Sequence, residues 1–276
     1  MIDAKQLKFE IRTNPLFRFF TYPIGTWKRK KALNEYYASG EILKLLDYKN
    51  IHRGERCFII GNGPSLTIHD LELLSNEITF AANGIFRMFE DTQWRPTYYI
   101  VSDSDVAATN IEGISKVKCR QKFIEMRSMA YRDQIKECVF ICTDPTFIVN
   151  IYNINPHIQE DITKYLSNGG SVMFTIIQLA LYMGFTEMYL IGQDFSMPYY
   201  KDRFGLPHKT ETTVTHAGKI NAPFKRIYLY RDTMLNAFTT SRQYCEAHGV
   251  KIINASRGGK LEVFEREKLE SVLKHV

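Results

Sequence analysis

The ten residues Cys57-Phe58-Ile59-Ile60-Gly61-Asn62-Gly63-Pro64-Ser65-Leu66 constrain this chain more than any other stretch. A short apolar run stops at Gly-Asn-Gly-Pro-Ser, and a helix-compatible segment, Leu66 to Leu74, follows. That order describes a buried parallel strand feeding a tight turn and then a helix. Glycine lets the backbone take positive φ and approach a ligand closely. A helix start presents unpaired N–H groups to an anion. Pro64 suits the first turn of a helix and Ser65 adds a hydroxyl donor, so the turn reads as a phosphate or nucleotide site. It matches neither the G-x-G-x-x-G fingerprint nor the Walker A pattern with its lysine. A strand–helix turn that binds nothing is the alternative.

The same alternation runs on through the chain. Apolar runs predict strands at 56–60, 78–82, 97–102, 121–126, 138–142, 187–191 and 250–253. Helical patterns lie between them, at 171–183 ended by Gly184 and from about 226 to 248 ended by Gly249. Residues 33–48 also look helical, interrupted near Ser39-Gly40. Alternating strands and helices predict an α/β fold: a Rossmann-like, doubly wound, mostly parallel sheet with helices on both faces. An N-terminal helical arm precedes it. Residues 143–168 and 192–225 fit the alternation poorly and read as lid-like insertions over a site. Internal repeats and low-complexity segments are absent from the sequence.

The 276 residues are 45% hydrophobic and 24% charged, enough for a sizeable core. No apolar run approaches the roughly 20 residues that span a bilayer. Charges scattered from Asp3 to Arg12 do not describe a cleaved signal peptide. Five cysteines without zinc spacing read as free thiols in a reducing cytoplasm. Charge is unevenly placed. Residues 1–31 hold eight basic residues against Asp3 and Glu10, which leaves 28 basic and 28 acidic residues in the remainder. The whole net charge of +6 therefore sits in the first ninth of the chain. A neutral body argues against nucleic-acid binding. Phe17, Phe19, Phe20, Tyr22 and Trp27 stand beside Lys28-Arg29-Lys30-Lys31. That pairing suits an anionic membrane interface, or an arm packed on the body or on another subunit of a homo-oligomer.

In a doubly wound sheet, ligands sit outside the carboxyl ends of the strands. Those ends carry Gly61, Asn62, Gly63 and Ser65; Asn83; Ser102, Asp103 and Asp105; and Gln193 and Asp194. The start of the long apolar helix adds Gly170 and Ser171. Asp103 and Asp105 form a D-x-D at a strand end, a pattern that holds a sugar nucleotide's diphosphate through a divalent ion. They serve equally as helix-capping residues without a ligand. Asn62 and Asn83 offer amide hydrogen bonds to a base, ribose or phosphate. His208 and His216 lie eight apart in the long connection, not at zinc spacing. An imidazole near its ordinary pKa is a natural general base for a sugar hydroxyl, and the compact Thr215-His216-Ala217-Gly218 favours His216. Tyr199, Tyr200, Lys209, Arg226, Tyr228 and Tyr230 stand near enough in sequence to stabilise a departing phosphate. Neither a Gly-x-Ser-x-Gly elbow nor a Cys-x-x-Cys pair occurs.

The order of these motifs resembles the "domain of unknown function 115" superfamily over roughly residues 54–255. It is carried by Ile59-Ile60-Gly61-Asn62-Gly63-Pro64-Ser65-Leu66, Ala82-Asn83, Gly170-Ser171-Val172 and Tyr189-Leu190-Ile191-Gly192-Gln193-Asp194-Phe195. That group contains 6-hydroxymethylpterin pyrophosphokinase-like proteins and motility accessory factors that modify flagellin. It is similar to family 42 sialyltransferases, which use CMP-sialic acid on a Rossmann-like fold without a metal. The resemblance implies that Asn62 and Ser65 meet the nucleotide phosphates, Asn83 the nucleotide, and Ser171 the base or donor carboxylate region. His216 matches the loop histidine that acts as general base, and Tyr199 or Tyr200 the phosphate-binding tyrosines. Asp103 stands where the sialyltransferases have an asparagine. Asp105 follows it, and the arginine expected just before Ser171 is missing.

The implied protein is a glycosyltransferase of surface polysaccharide or glycan synthesis with a nucleotide-linked, CMP-type donor and a glycan or lipid-linked acceptor. Residues 1–53 form the arm and 54–276 the catalytic domain. His216 and Asp103 are its catalytic residues. The expected location is cytoplasmic, with residues 15–31 serving either as a contact to the inner face of the membrane or as a packing arm. No cofactor is expected. The alternative is an ATP-dependent pyrophosphokinase acting on a small alcohol, with Asp103 and Asp105 holding Mg²⁺.

Overall fold

The structure is a computed structural model and describes residues 27, 30–31, 33–143, 156–197, 199–201, 207–209, 211, 216–217 and 229–274. In chain order its strands and α-helices are β1 (Arg56–Ile60), α1 (Ile68–Leu73), β2 (Thr79–Ala82), β3 (Tyr98–Val101), α2 (Ser104–Thr109), α3 (Ile111–Ser115), β4 (Gln121–Glu125), β5 (Cys138–Ile141), α4 (Val172–Met183), β6 (Glu187–Ile191), β7 (Tyr199–Lys201), β8 (Pro207–Lys209), β9 (Leu229–Tyr230), α5 (Arg231–Ala247), β10 (Lys251–Asn254), β11 (Glu265–Arg266) and α6 (Leu269–Val272). Three 3₁₀ segments add Glu41–Tyr48, Asn83–Met88 and Met126–Tyr131.

Eight strands form one sheet in the order β11-β10-β6-β1-β2-β3-β4-β5, and every pair is parallel. All seven strands expected from the apolar runs are present. The short β11 was not foreseen, because its residues Glu265 and Arg266 are exposed and charged. Runs such as Phe58–Ile60 and Tyr98–Val101 are buried without alternation. A parallel sheet covered on both faces produces that pattern. The ladder is aromatic at its centre. Phe58 stacks on its β6 partner Tyr189 at 5.2 Å, and Phe80 on its β3 partner Tyr98 at 4.9 Å.

Helix α4 is buried on nearly every side, which its continuous apolar sequence dictates. It carries the chain from the β5 edge back to β6, on the far side of β1. The strand order reverses there, so the switch point lies between the loops that follow β1 and β6. Gly184 ends α4 with φ 90°, and Gly40, at φ 70°, breaks the N-terminal helical stretch where expected. The second half of that stretch is 3₁₀. Its Ile42 and Leu45, three apart, both turn into the core.

Two local expectations change. Helix α1 begins at Ile68 rather than near Pro64, because Thr67 and Asp70 form a reciprocal capping box there. The 192–225 connection is not all loop. It contains β7 and β8, which join β9 in a small sheet of order β8-β7-β9. Residues 144–155 of the first insertion and Phe17, Phe19, Phe20 and Tyr22 of the arm lie outside the described residues. No disulfide joins any of the five cysteines. No helix among the described residues is long and apolar enough to cross a membrane.

Candidate functional site

The loops after β1 and β6 lock together at the switch point. Gly61 N–H donates to the Ile191 carbonyl at 2.7 Å and Gly63 N–H to the Gly192 carbonyl at 2.8 Å. A Cβ at Gly61 would strike the Gln193 amide, and one at Gly63 would meet the Asp194 carboxylate. The two glycines are therefore required by loop-to-loop approach within the chain. Asp194, only 3% exposed, accepts Ser65 N–H at 2.6 Å and also the Ser65 hydroxyl. The anion held at this turn is thus the protein's own carboxylate. Gln193 is buried too, its N–H donating to Ser256 Oγ at 2.8 Å.

One step along the sheet the situation differs. Asn62 Nδ2 donates to the Ala82 carbonyl at 3.0 Å, tying the β1 loop to the end of β2. Asn83 follows in left-handed backbone, φ 51°, a conformation asparagine tolerates. The buried Tyr99 hydroxyl donates to the Asn83 carbonyl at 2.5 Å and fixes that turn. Both side-chain amide oxygens, Asn62 Oδ1 and Asn83 Oδ1, are buried without a hydrogen-bond partner among the described residues. Such orphaned acceptors are rare in folded proteins and cost about 1–3 kcal/mol each unless something donates to them.

His216 stands beside them. Ala217 N–H donates to the Asn62 carbonyl at 2.8 Å, which pins the histidine loop onto the β1 turn. Burial holds the His216 pKa below its ordinary value, and the positive charge of Arg87 adds to this. The imidazole is therefore neutral at pH 7 and able to accept a proton. Arg87 escaped the sequence reading. It projects from the 3₁₀ segment after β2, donating to Asn110 Oδ1 at 2.9 Å with its guanidinium 5.6 Å from the Phe86 ring. His208 lies exposed on β8, paired with Tyr200 of β7. Tyr199 pairs with Lys209, and Tyr230 with Lys201. Arg226 and Tyr228 lie outside the described residues.

The remaining strand ends carry structural work. Asp103 caps α2, its Oδ1 accepting the N–H groups of Asp105 at 2.7 Å and Val106 at 3.3 Å. Asp105 is exposed in the first turn of that helix. Ser171 caps α4 by accepting Met173 N–H at 3.3 Å, and Gly170, at φ 76°, donates to Asn168 Oδ1 at 2.8 Å. Ser102 is half-buried at the end of β3. Glu125, at the end of β4, was also missed. Burial pushes its carboxyl pKa up, opposed by Arg127 Nε at 2.9 Å and raised further by Asp103. A glutamate that closes an apolar run was its only signal. Among the described residues, no three or more His, Cys, Asp or Glu side chains gather as a metal site.

Residues 31–199 match the family described as "6-hydroxymethylpterin diphosphokinase MptE-like". Among solved structures the chain is similar to the MAf glycosyltransferase of Magnetospirillum magneticum AMB-1, at 16% identity and TM-score 0.48. That match covers 86% of this chain and 39% of the other, so the chain spans about two fifths of that enzyme's length. It is also similar to the Campylobacter jejuni sialyltransferase CstII, solved with the substrate analogue cytidine-5'-monophosphate. There the identity is 13% and the TM-score 0.44, over 78% of this chain and 85% of that one. No curated protein matches the chain.

Proposed function

The chain belongs to the MptE-like family, and from that premise we propose that it is a glycosyltransferase using a nucleotide-activated sugar. The paired, orphaned amide oxygens of Asn62 and Asn83, beside a neutral imidazole, carry this reading. Two buried acceptors suit a ligand with hydroxyl or amino donors, as a ribose or a nucleobase provides. His216 takes the proton of an acceptor hydroxyl. The acceptor oxygen then bonds to the anomeric carbon as the bond from that carbon to the nucleotide phosphate breaks. Arg87 lies close enough to bias His216 towards its neutral form and adds positive charge for the departing phosphate.

Ser65 and Asp194 shape the turn from behind, with Gly61, Gly63 and Gln193 packed into the same joint. Asp103 and Ser171 act as positioning residues at the starts of α2 and α4. We assign Ser102, Gly170, Tyr199 and Tyr200 to the nucleotide as well. A CMP-linked donor follows from the motif resemblance, as do a glycan or lipid-linked acceptor and a site of action at the inner membrane face. The transfer needs no cofactor. Trp27, 63% exposed with Lys31 Nζ 5.9 Å from its ring centroid, suits the arm for that membrane surface.

The family description supports a second reading, diphosphate transfer from ATP to a small alcohol with Mg²⁺ near Asp103 and Asp105. The capping role of Asp103 counts against it. Calorimetry with CMP, CDP, UDP, GDP, ADP and ATP, each with Mg²⁺ and with EDTA, separates the two. CMP binding that survives EDTA is expected, and ATP binding that needs Mg²⁺ would replace the transferase by the kinase.

A further inference from the structure

A second cleft, of about 680 Å³, lies between the 3₁₀ segment Asn83–Met88 with its following loop and helix α3. Its walls carry Phe86, Arg87, Phe89, Arg95, Lys116 and Lys118, with Glu90 and Glu112 as the acids. Arg87 belongs to both places, since it lines this cleft and also biases His216. The cleft therefore shares Arg87 with the electrostatic surroundings of the proposed base.

Its floor is built rather than incidental. Phe86 packs so closely on α3 that any Cβ at Gly113 would overlap the ring. Glycine inside a helix is unfavourable by roughly 0.5–1 kcal/mol relative to alanine, so its presence here reflects the close approach of the ring. Arg95 stacks over Phe89 at 4.4 Å and donates to the carbonyls of Thr92, Trp94 and Phe89 at 2.8, 2.6 and 3.2 Å. Carbonyls fix the guanidinium but leave its charge in place, and no carboxylate pairs with it among the described residues. Lys116 is paired with Glu112 at 2.6 Å, whereas Lys118 has no ion pair among the described residues. The lining thus has four cations against two acids, a surplus of two positive charges beside two phenyl rings.

A ligand matching this cleft has an apolar ring face and a doubly charged anion. The C–H face of a pyranose packs on aromatic rings, and a phosphate dianion suits a fixed guanidinium with a nearby ammonium. We propose that this cleft binds the acceptor as a glycosyl phosphate, its sugar ring on Phe86 and Phe89 and its phosphate on Arg95 and Lys118. This rests on the glycosyl-transfer reading above. It adds the acceptor's chemical class and orients a sugar hydroxyl towards Arg87 and His216.

Calorimetry on the full chain tests it with N-acetylglucosamine 1-phosphate, free N-acetylglucosamine, inorganic phosphate and, separately, CMP. The sugar phosphate should bind about tenfold tighter than either part alone. Arg95→Gln and Lys118→Gln should each weaken it about tenfold and leave CMP affinity unchanged. Lys118 is exposed and makes no hydrogen bond or ion pair among the described residues, so its variant stays interpretable where Arg95→Gln fails to fold. Equal affinity for inorganic phosphate, or indifference to Lys118→Gln, overturns the proposal. CMP binding without sugar-phosphate binding removes the cleft and spares the nucleotide site. Sugar-phosphate binding without any nucleotide binding supports the cleft and sinks the transferase reading. Vesicles bearing the same sugar phosphate as a prenyl headgroup identify its source. Tighter, Lys118-dependent binding there supports a lipid-linked acceptor, and equal binding supports a soluble one.

Discussion

Asp194 takes both donors of Ser65, and this small joint holds the two halves of the sheet at the switch point. Asp194→Ala leaves the N–H and hydroxyl of the half-buried Ser65 without their acceptor. A destabilisation of roughly 2–3 kcal/mol is expected, against about 1 kcal/mol for Ser65→Ala, both read from thermal unfolding. His216 is tested by chemistry. His216→Ala should lower the transfer rate by about 10²–10⁴-fold while CMP affinity holds in calorimetry. Its depressed pKa predicts a rate that stays level on acidification below the ordinary value of 6.5 before falling. Arg87→Gln removes a lowering influence, so the acid limb of that profile should move upward in pH. The same depression has a stability consequence. The unfolded chain takes the proton first, so stability falls as pH drops from about 6.5 towards the lower folded-state value. His216→Gln should flatten that slope in urea melts. Ser65 was legible as important from the Gly-Asn-Gly-Pro-Ser turn. That its partner is Asp194, 129 residues away, was not, because a chain-long contact leaves no local pattern.

At the scale of elements, each strand end was readable because apolar runs stop at small or polar residues. The roles at those ends were less readable. Asp103-Ser104-Asp105 has the composition of a metal site and the geometry of a helix start, and local sequence does not separate the two. Substitution does. Asp103→Ser keeps a capping oxygen, so activity within a few-fold of wild type is expected, whereas Asp103→Ala should cost about 1 kcal/mol in denaturant melts. A collapse of activity in the serine variant would return Asp103 to a metal-binding role. The 3₁₀ segments were not foreseen as such, because their apolar spacing fits an α-helix as well. Strands β7 and β8 were read as loop because three-residue strands carry too few positions for an alternation to show.

For the whole molecule, charge is distributed very unevenly. The body is neutral, and the excess of six positive charges lies in residues 1–31. Replacing Lys28, Arg29, Lys30 and Lys31 by glutamine should lower partitioning onto anionic vesicles by roughly 10²–10³-fold at low salt, since each basic residue near such a surface contributes about 1 kcal/mol. Nucleotide affinity should not change. An unaltered vesicle titration would leave the arm as a packing element. The sequence by itself determined the parallel sheet, its strands and the helices between them, because hydrophobic period and glycine placement are properties of neighbouring residues. It also marked Asn62, Asn83 and His216. Only the tertiary structure decided which groups meet. It placed Asp194 in the turn that read as an anion site, left two amide oxygens without donors among the described residues, brought the charge of Arg87 to bear on His216 and laid Phe86 on Gly113. Those outcomes depend on the strand order and on distances between remote segments, which no local pattern encodes.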